Sequence, residues 1–118
     1  MLDEGVRVKA IELAESIKSL GEYQEFLENE KLLKEDKIAQ ELLLEFQQKQ
    51  QDFVTKQLSG EYDQDLLGEL TDLQSRINAR ESVVRFIESY NRLLAVIGEI
   101  VDLISEKIEL DIGEVYRR

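Results

Sequence analysis

Not one proline occurs in the 118 residues, and apolar side chains recur at steps of three and four along most of the chain. Proline is the strongest helix breaker, and a three–four spacing lays side chains on one helical face, so the chain is predicted to be helical nearly throughout. Over residues 2–20 the spaced positions are Leu2, Val6, Ala10, Leu13, Ile17 and Leu20. Gly21 is expected to close this helix in the left-handed conformation, and Ser19 with Glu22 has the spacing of a capping box for the next one. The helix boundary is placed at residues 19–22.

The second stretch, residues 22–58, carries Tyr23, Phe26, Leu27, Leu33, Ile38, Leu42, Phe46 and Phe53 on one face. As one helix it would run for about 55 Å. That exceeds twice the ~13 Å radius of gyration of a compact domain of this size. Either it breaks, at Glu35-Asp36-Lys37, or it projects and packs against a second chain. Its lower part, Gln47-Gln48-Lys49-Gln50-Gln51-Asp52, is polar enough to need a partner.

Ser59-Gly60-Glu61-Tyr62-Asp63 reads as a loop, with Gly60 ending one helix and Asp63 capping the next. Leu66, Leu70, Leu73 and Ile77 then form a narrow stripe, and Asn78 with Glu81 marks a further end and start. The last helix, Glu81–Ile108, is the most apolar. Its apolar positions cover more than one stripe, so it is expected to be buried on two sides. Residues 109–118 are expected to fray. The fold class is therefore all-α: one domain over residues 1–118, a bundle of four to five helices with a long second and last helix, as an intertwined homodimer.

Composition excludes whole classes of chemistry. With no Cys and no His, the chain holds no disulfide, no thiolate or imidazole metal site and no nucleophile–histidine system. The acidic start Met1-Leu2-Asp3-Glu4 is unlike an export signal, and the longest apolar run, residues 93–97, is far short of a membrane span. These features predict a cytoplasmic protein without membrane contact. The net charge is −11, and residues 1–59 carry 8 basic and 13 acidic side chains against 7 and 13 in residues 60–118. Neither half offers the basic patch that a phosphate backbone needs, so direct nucleic-acid binding is not expected.

No phosphate-cradling glycine motif is present. Gly68 and Gly98, inside predicted helices, are read as tolerated small residues rather than kinks or close helix contacts. Carboxylates such as Glu41 and Glu45, or Asp63 and Asp65, sit at suggestive spacings. A di-iron bundle would also need histidines, and the glycine and terminal glutamate of a calcium loop are out of place. A solvated helix face is the better reading. Arg76, Arg80, Arg85 and Arg92 are the one basic concentration; pairing with Glu69, Asp72, Glu81 or Glu88 is favoured over a clamp on a partner. No catalytic, cofactor-binding or metal-ligating residue is assigned, and the chain is not expected to be an enzyme.

The order of segments resembles the YlbF/YmcA/YheA family of small all-helical bacterial regulators. The likeness runs over residues 10–108. It includes Ala10-Ile11-Glu12-Leu13-Ala14-Glu15-Ser16-Ile17-Lys18, then Glu22-Tyr23 with Phe26-Leu27, Leu43 with Glu45-Phe46-Gln47, and Leu58-Ser59-Gly60. It ends in Val83-Val84, Phe86-Ile87-Glu88, Arg92-Leu93-Leu94, Ile100 and Leu103-Ile104-Ser105. The resemblance implies a dimeric, non-enzymatic regulator that acts in complexes promoting competence, sporulation and biofilm formation. It also implies a heteromeric complex and messenger maturation with a ribonuclease Y type partner. The cysteines that hold iron–sulfur clusters in some relatives are missing, so no cofactor is carried over; Asn78-Ala79 stands where relatives often have Asn-Pro.

Two functions are expected from these readings: a regulator or adaptor working through helix faces, or, alternatively, a prefoldin-type coiled-coil holdase motivated by the long polar stretch 22–58. The last helix carries more apolar surface than one antiparallel neighbour covers. A homodimer interface is therefore predicted at Phe86, Ile87, Tyr90, Leu94, Ile97 and Val101, and Phe86→Ala is expected to lower both stability and dimer fraction.

Overall fold

The computed structural model describes residues 1–113, which form five helices and no strand. They are α1 (Glu4–Lys18), α2 (Gly21–Glu35), α3 (Lys37–Leu58), α4 (Gln64–Asn78) and α5 (Glu81–Ile108). The fold is all-α. The stretch expected over 22–58 breaks at Asp36, giving helices of 15 and 22 residues.

Aspartate starts three of the helices. Asp3 accepts from the Val6 N–H at 3.1 Å, Asp36 from Ala39 at 3.2 Å and Asp63 from Leu66 at 3.0 Å. Each satisfies a first-turn N–H that has no intrahelical acceptor.

The end of α3 is closed by Gly60 at φ 86°, with the Gly60 N–H on the Gln57 carbonyl at 3.0 Å and the Glu61 N–H on the Lys56 carbonyl at 2.9 Å. This pair of bonds is a Schellman motif, which needs the left-handed residue that glycine supplies without strain. Gly60→Ala is therefore expected to cost about 1 kcal/mol. Gly68→Ala, where an added Cβ meets open space inside α4, is expected to add about 0.5–1 kcal/mol. Urea unfolding of the two variants checks the opposite signs.

The α1–α2 junction departs from expectation. The boundary lies at residues 19–20, but Gly21 is the first residue of α2 and takes no positive φ. Ser19 is the αR C-cap of α1 rather than an N-cap, and its hydroxyl donates to the Glu15 carbonyl at 3.2 Å. The Gln24 side chain makes the turn instead, donating to the Lys18 carbonyl at 2.8 Å. At the α4–α5 junction α4 ends at Asn78 as expected, with Ala79 as its C-cap.

At the other end, α5 stops where Glu109 takes φ 59°, and the Leu110 N–H returns to the Ser105 carbonyl at 3.0 Å. The Ile112 N–H bonds Ser105 Oγ at 3.1 Å. Of the frayed tail expected over 109–118, residues 114–118 lie outside the described residues.

The helices gather into two compact units. Unit 2, Asn29–Ile87, holds the α3–α4 hairpin. Its core is the α4 stripe Leu66, Leu70, Leu73 and Ile77, together with Ala39 and Val83. Leu33, Leu42, Leu43 and Phe46 pack around Ala39, Ile77 and Val83. Ion pairs Lys49–Glu69 at 3.1 Å and Lys56–Asp63 at 2.7 Å tie α3 to α4 and to its capping residue.

Unit 1 comprises Met1–Glu28 and, among the described residues, α5 from Glu88 onward. It buries little. No residue of α1 is buried, and on its α5 segment only Ser89 and Leu93 are. The Phe26 and Tyr90 rings meet at 5.8 Å, tilted by 42°, and Arg92 pairs with Glu25.

Candidate functional site

Most apolar positions of α5 fall on two stripes, with Val84 and Leu103 outside them. One, Val83, Phe86, Ser89, Leu93, Val96 and Ile100, is buried or half-buried. The other is Ile87, Tyr90, Leu94, Ile97, Val101, Ile104 and Ile108, in which steps of three and four alternate without exception. This is the a/d repeat of a coiled-coil seam, sustained to the end of the helix. Within a single chain the seam is largely uncovered: Tyr90, Leu94 and Ile97 are 43%, 44% and 37% exposed. The two-sided burial expected of α5 is therefore not met inside one chain, where most of the second stripe stays exposed although Phe26 meets Tyr90 on it.

Five of the six residues predicted as an interface, Ile87, Tyr90, Leu94, Ile97 and Val101, lie on this seam, while Phe86 belongs to the covered stripe and is half-buried. Phe86 and Ile87 fall in unit 2 and the rest in unit 1. Unit 1 exposes further apolar side chains on α1, namely Val6, Val8, Ile11 and Leu13. An apolar surface of this kind, uninterrupted by charge along its seam, does one thing: it packs against another apolar surface.

Unit 2 contributes a polar junction instead. Asp36 sits in the break between α2 and α3, and its carboxylate accepts five hydrogen bonds. Ser82 Oγ donates at 2.6 Å, Arg80 Nη2 at 2.8 and 2.9 Å and Nε at 3.3 Å, besides the capping bond from Ala39. Only 14% of its side chain is exposed. The Ser82 hydroxyl, the Arg80 guanidinium and the Ala39 N–H together hold the Asp36 carboxyl down at about 2, against an ordinary 3.8. One residue thus caps α3 and fastens it to the start of α5.

The sign of the pH dependence follows from that depression. Above the unfolded value near 3.8 the carboxylate is ionised in both states and its contribution is whole. As pH falls from about 4 towards 2, the unfolded chain binds a proton that the folded chain does not, and stability drains away. Asp36→Asn keeps a competent cap but removes the charge, so its stability is expected to depend less steeply on pH across that window than the wild type's. Urea midpoints measured from pH 5 to about 2 check this; parallel slopes would count against it.

The remaining arginines are distributed as follows. Arg76 pairs with Asp72 at 3.1 Å and Arg85 with Glu81 at 2.6 Å, both one turn apart as expected. Arg80 and Arg92 instead pair with Asp36 and Glu25, which spacing along one helix does not suggest. Asp63, considered as the start of a calcium loop, is the α4 cap; its hydrogen bond from Lys56, then the Leu66 N–H, lowers its pKa, and Lys56 is raised in turn. Among the described residues no cluster of three or more acidic side chains is placed to hold a metal ion, and no helix is long and apolar enough to cross a membrane.

Comparison with known proteins gives one match. The family described as Com_YlbF, control of competence regulator ComK, YlbF/YmcA, matches residues 6–109. No curated protein and no solved structure matches the chain.

Proposed function

The chain belongs to the Com_YlbF (YlbF/YmcA) family, which is described by control of the competence regulator ComK, and from that premise we propose that it is a non-enzymatic adaptor working as a homodimer joined along the α5 seam. The exposed a/d repeat from Ile87 to Ile108 carries this reading. A seam of that length, left open in a chain whose unit 1 has almost no core, is stabilised most economically by a second copy of itself, since a two-fold interface matches each apolar position with another. Phe86, beside Ile87, borders the same interface.

On this reading the two units act as one helical domain, and the dimer's outer faces are what regulatory partners grip. The heteromeric regulatory complex and the ribonuclease Y type partner of the resembling regulators are the proposed partners, and the cytoplasm is the proposed location. With a net charge of −11, direct contact with nucleic acid or an anionic membrane is not part of the proposal. The holdase alternative drew on one long helix over residues 22–58, and that stretch is divided at Asp36.

Sedimentation velocity of the purified chain at tens of micromolar tests the dimer. A species of twice 13.7 kDa is expected, and a folded 13.7 kDa monomer overturns the reading. Capture of interacting proteins from the native cell tests the adaptor role, which recovery of no protein partner would remove.

A further inference from the structure

Unit 2 holds a cleft of about 450 Å³ lined by Asn29, Leu32, Asp36, Arg80, Ser82 and Arg85 together with Ala79 and Glu81. Asn29 is 9% exposed, and among the described residues its side-chain amide has no hydrogen-bond partner. A largely buried amide with no protein partner pairs with whatever occupies the space it faces, water or a ligand. None of its polar atoms is sealed from solvent, which places the amide at the cleft it lines.

The same cleft receives the amino end of the 28-residue α5, where the N–H groups of Glu81 and Ser82 have no acceptor among the described residues. Such N–H groups and the helix dipole favour negative charge. Arg85 reaches the cleft, and among the described residues its partner is the exposed Glu81, at 2.6 Å. The half-buried Asp36 carboxylate does not compete for these donors, because it is saturated by Ser82, Arg80 and Ala39. Once those bonds are made, the donors left in the cleft are the Asn29 amide, the first N–H groups of α5 and the Arg85 guanidinium, with Glu81 as the exposed acceptor beside them.

The geometry points to an oxyanion-binding cleft, in which Asn29, Arg85 and the first N–H groups of α5 hold the carboxylate or phosphate group of a small organic anion. Its volume admits a molecule of metabolite size rather than a bare ion. Arg85 exchanges its exposed partner Glu81 for the ligand, while Arg80 stays on Asp36 and keeps the cleft's wall in place.

Inorganic phosphate and citrate are the probes, titrated separately into the ¹⁵N-labelled full chain with sodium chloride holding ionic strength constant. The expected result is a saturable shift of the Glu81 and Ser82 backbone amides and the Asn29 side-chain amide with at least one probe, in the millimolar range. The two arms separate a phosphate preference from a carboxylate one. Arg85→Gln, at a half-exposed position outside the core, is expected to keep the wild-type melting temperature and weaken binding about tenfold. Asn29→Leu is expected to abolish the shift; should it fail to fold, Arg85→Gln decides alone. No saturable shift with either probe up to about 50 mM, or unchanged binding in Arg85→Gln, overturns the proposal. Neither result bears on dimerisation along α5, which sedimentation reads independently.

Discussion

Ile77→Ala is expected to destabilise the protein by ~2–5 kcal/mol, a large part of the 5–15 kcal/mol that separates a typical domain from its unfolded state. Ile77 is 4% exposed and lies at the end of the α4 stripe, packed with Ala39 and Val83 and ringed by Leu33, Leu42, Leu43 and Phe46. Truncation removes three carbons from the place where α3, α4 and the start of α5 converge, and helices pinned by an ion-paired junction have little freedom to collapse into the gap. Leu67→Ala, on the exposed side of the same helix, is the control and should cost under about 1 kcal/mol. Urea unfolding followed by circular dichroism compares the two, and equal losses would mean that the buried stripe is not the core.

Leu94→Glu is expected to weaken self-association by two orders of magnitude or more while leaving unit 2 folded. Leu94 is the third of the seam's seven positions, and in a two-fold dimer the substitution enters the interface twice. Burying a carboxylate without a partner costs several kcal/mol, and about 2.8 kcal/mol already corresponds to a hundredfold change in dissociation constant. Leu44→Glu, exposed on α3, puts the same charge elsewhere on the surface and is expected to leave association unchanged. Sedimentation equilibrium distinguishes them. A Leu94→Glu chain that remains dimeric at low micromolar concentration would place the contact away from α5.

Local patterns carried most of the fold. Leu66, Leu70, Leu73 and Ile77 are spaced for burial and are buried, and the loop from Ser59 to Asp63 contains both the glycine that ends α3 and the aspartate that starts α4. Chain length against domain size left two outcomes open for residues 22–58, a break at Glu35-Asp36-Lys37 or a projecting helix, and the chain breaks at Asp36. What local pattern misread was capping at the first junction, where Gln24, not Ser19 or Gly21, satisfies the turn. The choice among small polar residues depends on a few degrees of backbone that sequence does not specify. The Asp36–Arg80 pair was illegible for another reason: its members stand 44 residues apart, and arginine partners sought one turn away on the same helix cannot include it. Asn29 gave no signal at all, since an asparagine within a polar helix segment looks solvated until its neighbours are in place. The seam of α5 is a local pattern as well. Its alternating three–four steps lie in the sequence, and Phe86 stands on the half-buried stripe beside it.

That α1 buries no residue has a consequence for turnover. A 15-residue helix held by little more than its own hydrogen bonds is marginal in water, so its amides open locally at a small fraction of the free energy needed to unfold the α3–α4 hairpin. Proteases cut segments in proportion to how often they open. A newly made chain with no companion would therefore be nicked first in α1, and association that covers this helix would lengthen its lifetime. Copies in excess of their partners would be cleared without any dedicated recognition signal, and the cellular ratio of the chain to whatever it assembles with would adjust itself.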